Sequence, residues 1–121
     1  MIVAGFGFRQ SASLASLESA LEGATGAKIA VDALATIDRK AAQLAPLARH
    51  LAVPLIAVSV ESLSDQPVLT RSAASMAAYG VGSVAEAAAL AALRPKGRLF
   101  APRALSSDRL ASCAIAEGPD E

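Results

Sequence analysis

The chain has 121 residues, 54% of them hydrophobic but only 3% aromatic, with one cysteine (Cys113) and one histidine (His50). That length fits one domain with a core of small aliphatic side chains, and the counts argue against a disulfide, a Cys-rich metal site, a zinc enzyme or a Ser-His-Asp hydrolase. The 11 basic and 11 acidic residues cancel, without the dense basic stripe and stacking aromatics that nucleic acid needs, and no apolar run reaches the ~20 residues of a membrane span.

At the N-terminus, "MIVAGFG" predicts a first buried strand ending in glycines, with no basic n-region of a signal peptide. With the lone cysteine, this suggests a cytoplasmic protein. "SASLASLESALEGATG" places Leu14, Leu17 and Leu21 at helical spacing, with Gly23 or Gly26 as the stop. "IAVDALATID" fits either element by pattern; a short strand near Leu34 to Ile37 is expected, with "TIDRK" at its C-terminal end. Pro46 suits the first turn of the next helix, with Leu47 and Leu51 facing the core and the helix stopping before Pro54.

"VPLIAVSVE" is the clearest strand, and "SLSDQPVLTRSAAS" follows as a short turn or helix and a polar loop. "SAASMAAYG" predicts a short helix ending at Gly80. "GSVAEAAALAALRP" predicts a strong helix with the Ser-x-x-Glu spacing of a capping box, Ser83 as N-cap and Glu86 at N3. "RLFAPRA" and "RLASCAIA" then read as an antiparallel strand pair joined by "LSSD". The expected fold is α/β, a three-layer α/β/α sandwich whose mixed, mostly parallel sheet carries an antiparallel C-terminal pair. The domain is expected to span 1–116, with 117–121 as a flexible acidic tail. Setting aside the acids of that tail, Glu117, Asp120 and Glu121, leaves eight acidic against eleven basic residues. Between Arg94 and Arg109 five basic residues face the single acid Asp108, a bias suited to a small polyanion or to a solvated edge.

Ligands of open α/β sheets bind beyond the carboxyl ends of the strands, where "GFGFR" and "TIDRK" are expected to lie. Gln10 stands where the third glycine of G-x-G-x-x-G should be, and no Gly-Lys-Ser/Thr follows, so neither a dinucleotide fingerprint nor a P-loop is present. Gly5, Gly7 and Arg9 then form either an anion-binding turn or merely a tight strand-to-helix turn. Asp38 and Lys40 are either a proton acceptor and an anion clamp or a turn cap and a solvated lysine. Glu86 reads first as a capping residue, His50 as a surface residue, Cys113 as an inert core thiol, and Tyr79 as a residue that closes over a ligand or simply packs.

Taken together, "GFGFR", "LATIDRK", "GVGSVAEAAALAA" and the strand ending in Pro102-Arg103 resemble the cobalamin biosynthesis proteins of the CobE type, which are similar to the C-terminal domain of CbiG. The resemblance runs over nearly the whole chain and implies a three-layer domain in corrin-ring construction. CbiG-type proteins open the lactone of cobalt-precorrin-5A and release acetaldehyde; CobE-type relatives stand alone in the aerobic route, and the chain's length suits that type. The implied ligand is a precorrin or corrinoid intermediate. The implied ligand-facing residues are Gly5, Gly7, Arg9, Thr36, Asp38, Lys40, Ser83, Glu86 and Arg103, with Asp38 or Glu86 as base if the protein is a hydrolase. Arg103 stands where relatives often have lysine, which keeps the charge and changes its geometry. A carrier or accessory enzyme around the ring-contraction stage, a lactone hydrolase and a non-catalytic scaffold for other pathway enzymes all remain open at this level, as does a homodimer. No metal ligation or cofactor is expected.

Overall fold

Seven residues, Ile2–Phe8, form the first strand, β1, and five of them are buried. Gly5 and Gly7 therefore lie within the strand rather than in a loop after it. The computed structural model describes residues 1–119. The elements that follow β1 are α1 (Leu14–Thr25), β2 (Ala33–Ile37), α2 (Ala41–Leu51), β3 (Leu55–Val58), α3 (Ala73–Tyr79), α4 (Val84–Leu93), β4 (Arg98–Leu99), β5 (Ala104–Leu105) and β6 (Ala111–Glu117). Short 3-10 turns cover Asp38–Lys40 and Val60–Leu63.

The sheet runs β3-β2-β1-β6-β4, with β5 also pairing to β6. β1 pairs parallel to β2, and β2 to β3. β6 runs antiparallel to β1, from Ile2 opposite Glu117 to Phe8 opposite Ala111. Because β4 and β5 are in turn antiparallel to β6, five strands share one direction and β6 alone opposes them. The mostly parallel sheet with an antiparallel C-terminal pair is thus observed. The first member of that pair is split in two by residues 100–103.

Two apolar clusters flank the sheet. On one face α4 covers Val3, Ala35, Ile37, Val58 and Ala116. On the other, Leu17 and Ala20 of α1 and Leu44, Leu47 and Ala48 of α2 cover Phe6, Leu34, Cys113 and Ile115. Covered on both faces, β2 has all five residues buried, as a parallel strand between helices should. The alanines of α4 explain the low aromatic content, since a helix with eight of ten residues buried must present little side chain if it is to lie close to the sheet. Gly5 sets that approach: a Cβ there would stand 2.1 Å from the Ala85 carbonyl oxygen and 2.6 Å from the Ala89 amide nitrogen.

Local signals account for most boundaries. Ser13 and Ser16 cap α1 reciprocally, and Gly26 ends it in the left-handed conformation, φ 61°. Leu14, the first residue of that helix, is the exception, 43% exposed rather than core. Pro46 departs from expectation as well. α2 begins at Ala41, five residues earlier, with Pro46 inside it. Pro46 and Ala42, whose carbonyl the proline cannot satisfy, are both exposed, so the lost bond costs less than it would in the core. Gly80 (φ 72°) ends α3 and Ser83 caps α4, both as the sequence indicates.

Glu117, counted above with the tail, is the last residue of β6, and its Oε1 takes a 2.6 Å ion pair from Arg98 across the ladder. Gly118 donates its amide to the Met1 carbonyl. Asp120 and Glu121, the rest of that expected tail, lie outside the described residues. Among the described residues no single helix is long and apolar enough to cross a membrane.

Since the atoms nearest a residue-5 Cβ belong to the α4 backbone, Gly5→Ala forces the helix off the sheet. A loss of at least about 3 kcal/mol is expected in urea unfolding, at the upper end of core overpacking.

Candidate functional site

A cleft of about 440 Å³ opens where β1 and β5 end and β6 begins. Gly7, Ala111 and Ser112 line it, α3 contributes Ser75, Tyr79 and its N-cap Ser72, and the cations Arg9, Lys40, Arg103 and Arg109 line it without any acidic residue. This is the position at which open α/β sheets hold ligands.

Each cation arrives by a separate route. Arg9 is the first residue after β1, and its amide donates to the Leu110 carbonyl at 2.8 Å. Lys40 closes the 3-10 turn after β2 and donates its Nζ to the Phe8 carbonyl at 2.5 Å, lying 5.1 Å from the centre of the Phe8 ring. Burial, with the neighbouring Arg39 charge second, holds the Lys40 ammonium below its ordinary pKa. Arg103 enters from the segment between β4 and β5, where its amide donates to Glu86 Oε2 at 2.8 Å. Arg109 sits in the β5–β6 turn with φ 64°, the left-handed region that favours glycine. The side chains of Arg9, Arg103 and Arg109 make no hydrogen bond or ion pair with any described residue.

Two carboxylates behind the cleft hold its walls. Glu86, fully buried in the first turn of α4, accepts the Leu69 and Thr70 amides on Oε1 and the Thr70 hydroxyl and Arg103 amide on Oε2. Burial pushes its carboxyl up, but the bonds from Thr70, Arg103 and Leu69 outweigh that and hold it below the ordinary range. The expected capping box is half made: Ser83 Oγ accepts the Glu86 amide, while the Glu86 side chain turns to the two neighbouring segments. Asp108 plays the corresponding part in the β5–β6 turn. It accepts the Ser106 hydroxyl, the Leu110 amide and, from α1, the Ser16 hydroxyl, and those bonds, Ser106 and Ser16 foremost, lower its pKa.

Of the residues the sequence singled out, Gly7, Arg9, Lys40, Tyr79 and Arg103 meet at the cleft. The others are elsewhere, each for a physical reason. Gly5 faces α4. Thr36 is fully buried in β2, its hydroxyl donating to the Phe6 carbonyl across the sheet at 2.9 Å. Ser83 is the buried cap of α4. Asp38 is exposed, does not line the cleft, and accepts the adjacent Arg39 amide at the start of its turn. Cys113 is fully buried, and burial drives its thiol pKa up. Tyr79 lines the cleft with Arg39 stacked 5.1 Å over its ring. Sequence reading missed Arg109 and Ser75. The Ser75 hydroxyl is buried with no partner among the described residues. The basic run from Arg94 to Arg109 was the one available signal for Arg109, but it could not distinguish Arg103 and Arg109, which reach the cleft, from Arg98, which pairs with Glu117.

The chain is thus an open, mixed α/β domain with a cationic cleft at the carboxyl end of its central strand. Residues 2–116 match the family model described as "Cobalamin synthesis G C-terminus", and the chain belongs to that family, as a protein of cobalamin biosynthesis. Its fold is similar to the crystal structure of CobE, a protein from the cobalamin (vitamin B12) biosynthetic pathway. That match has 34% identity and a TM-score of 0.86, and covers 100% of this chain and 92% of that one. It is also similar to the cobalamin biosynthesis protein chiG from Agrobacterium tumefaciens str. C58, at 32% identity and a TM-score of 0.73, covering 99% of this chain and 100% of that one. No curated protein matches the chain.

Glu86→Ala strands three amides and a hydroxyl at once and is expected to cost about 3 kcal/mol in denaturant unfolding. Because the Glu86 and Asp108 carboxyls are depressed in the folded state, their contribution is complete above the ordinary carboxylate pKa and is lost as pH falls through the folded values. Unfolding midpoints should therefore fall on acidification below about pH 4, and Asp108→Asn should flatten that fall.

Proposed function

We propose that this protein binds a polycarboxylated corrin or precorrin intermediate in the cationic cleft, as a carrier or accessory protein of the pathway rather than as the lactone hydrolase. One observation carries this reading: four cations converge on the cleft and no carboxylate lines it. Corrin intermediates are flat apolar macrocycles rimmed by acetate and propionate groups. Such a ligand needs an apolar wall with cations at its rim, and Phe8, Leu105, Ala78 and Leu110 supply the wall. Ligand carboxylates would also relieve the crowding of positive charge around the cleft.

Hydrolysis requires a base within hydrogen-bonding reach of the attacked lactone or its water. Asp38 is outside the cleft, and both Glu86 oxygens are occupied by donors from two loops. The cleft's size favours holding one edge of the macrocycle with its acid groups. The opposite edge then stays open to a pathway enzyme, which suits delivery.

Titration of the protein with hydrogenobyrinic acid, followed by absorbance, tests the reading. Arg9→Ala, Lys40→Ala and Arg103→Ala should each weaken binding about tenfold, the worth of one charge-assisted hydrogen bond, and added salt should weaken it in the unaltered chain. Unchanged affinity in all three variants would sink the site. Acetaldehyde release from a lactone-bearing precursor, abolished by Asp38→Asn or Glu86→Gln, would restore the hydrolase.

A further inference from the structure

We infer that Arg109 is a carboxylate-binding arm of the cleft, kept in an unfavourable backbone conformation for the ligand rather than for the fold. The inference rests on the cleft reading above and adds a residue that neither the sequence motifs nor the family resemblance points to.

The β5–β6 connection explains why a non-glycine residue at this point calls for a reason. Ser106 accepts the Arg109 amide at 2.9 Å and donates its own amide to the Ala111 carbonyl at 2.8 Å. This is a tight turn followed by one left-handed residue, and glycine occupies such positions without strain. Here the position holds arginine at φ 64°. Asp108, bonded to Ser106, Leu110 and Ser16, fixes the turn around it and ties it to α1. Ala27 and Ala52 take the same conformation, but Arg109 does so with a long charged side chain that adds nothing to the fold: it is exposed and makes no hydrogen bond or ion pair with any described residue. It does line the cleft, with Arg9, Lys40 and Arg103. Strained backbone persists where the side chain it presents is needed, and here the unpaired guanidinium faces a cleft without carboxylates. The geometry also assigns roles to the two turn residues: Arg109 contacts the ligand, and Asp108 positions it.

Stability and binding should therefore move in opposite directions on Arg109→Gly. The glycine relieves the left-handed strain, so Tm should rise by about 3 °C, while affinity for hydrogenobyrinic acid falls about tenfold. Arg109→Lys keeps the strain and the charge but not the forked geometry, so Tm should hold and affinity fall less than in the glycine variant. If Arg109→Gly leaves affinity unchanged while Arg9→Ala weakens it, the inference fails and the cleft stands. If Arg109→Gly lowers Tm, the arginine serves the fold and the inference is overturned. Failure of the unaltered chain to bind the acid overturns both the inference and the cleft reading.

Discussion

How closely α4 lies on the sheet decides where everything else goes. A helix can press its backbone against a strand only if both surfaces are nearly bare, and here the strand offers Gly5 while the helix offers a run of alanines. That contact brings the first turn of α4 alongside the end of β1, with Val84 and Ala85 beside Gly7. Glu86 is consequently buried where three backbone amides and a hydroxyl from the flanking segments can reach it. A carboxylate in such a place must be fully bonded or it would be neutral. Its bonds to Leu69, Thr70 and Arg103 in turn fix both the approach to α3 and the segment bearing one of the cleft's arginines.

The cleft is set against its own stability. Four positive side chains share a wall without a carboxylate, and the lysine among them is buried enough to hold its charge reluctantly. A protein concerned only with folding would place acids among them, as Glu117 is set against Arg98 at the opposite end of β6. The contrast within one strand ladder separates charge used for structure from charge left free. The acids that do approach the cleft, Glu86 and Asp108, spend their lone pairs on backbone and hydroxyl donors behind it. They stiffen the walls without neutralising the arginines.

Periodicity and local chemistry made much of this fold readable. The strand after Pro54, the caps at Ser83 and Gly80, and the final antiparallel pair all rest on signals contained within a few residues. Misreadings arose where a distant segment decides. The glycines of "GFGFR" look like a loop because their partner, α4, is 80 residues away; Thr36 looks like a ligand residue because the Phe6 carbonyl that takes its hydroxyl is on another strand. Ser-x-x-Glu spacing identified the cap correctly, yet nothing local indicated that the Glu86 side chain would bond to Thr70 and Arg103 instead. Arg109 was the hardest to see, since "LSSD" marks a turn while Arg109 reads as the first residue of the strand after it, which begins only at Ala111.

The site as a whole exists because one strand runs backwards. Were β6 parallel to β1, its amino end would lie at the far side of the sheet, and the turn preceding it would carry Arg109 away from Arg9 and Lys40. Reversed, β6 places Ala111 opposite Phe8, so the β5–β6 turn stands beside the exit of β1. The Leu110 carbonyl then accepts the Arg9 amide directly. Half of the rim therefore comes from the parallel βαβ portion of the chain and half from the C-terminal hairpin, joined edge to edge through a backbone ladder. A rim built this way fixes the backbone positions from which its two pairs of cations extend. On the proposed reading, a framework set in advance lowers the cost of binding a rigid polycarboxylate.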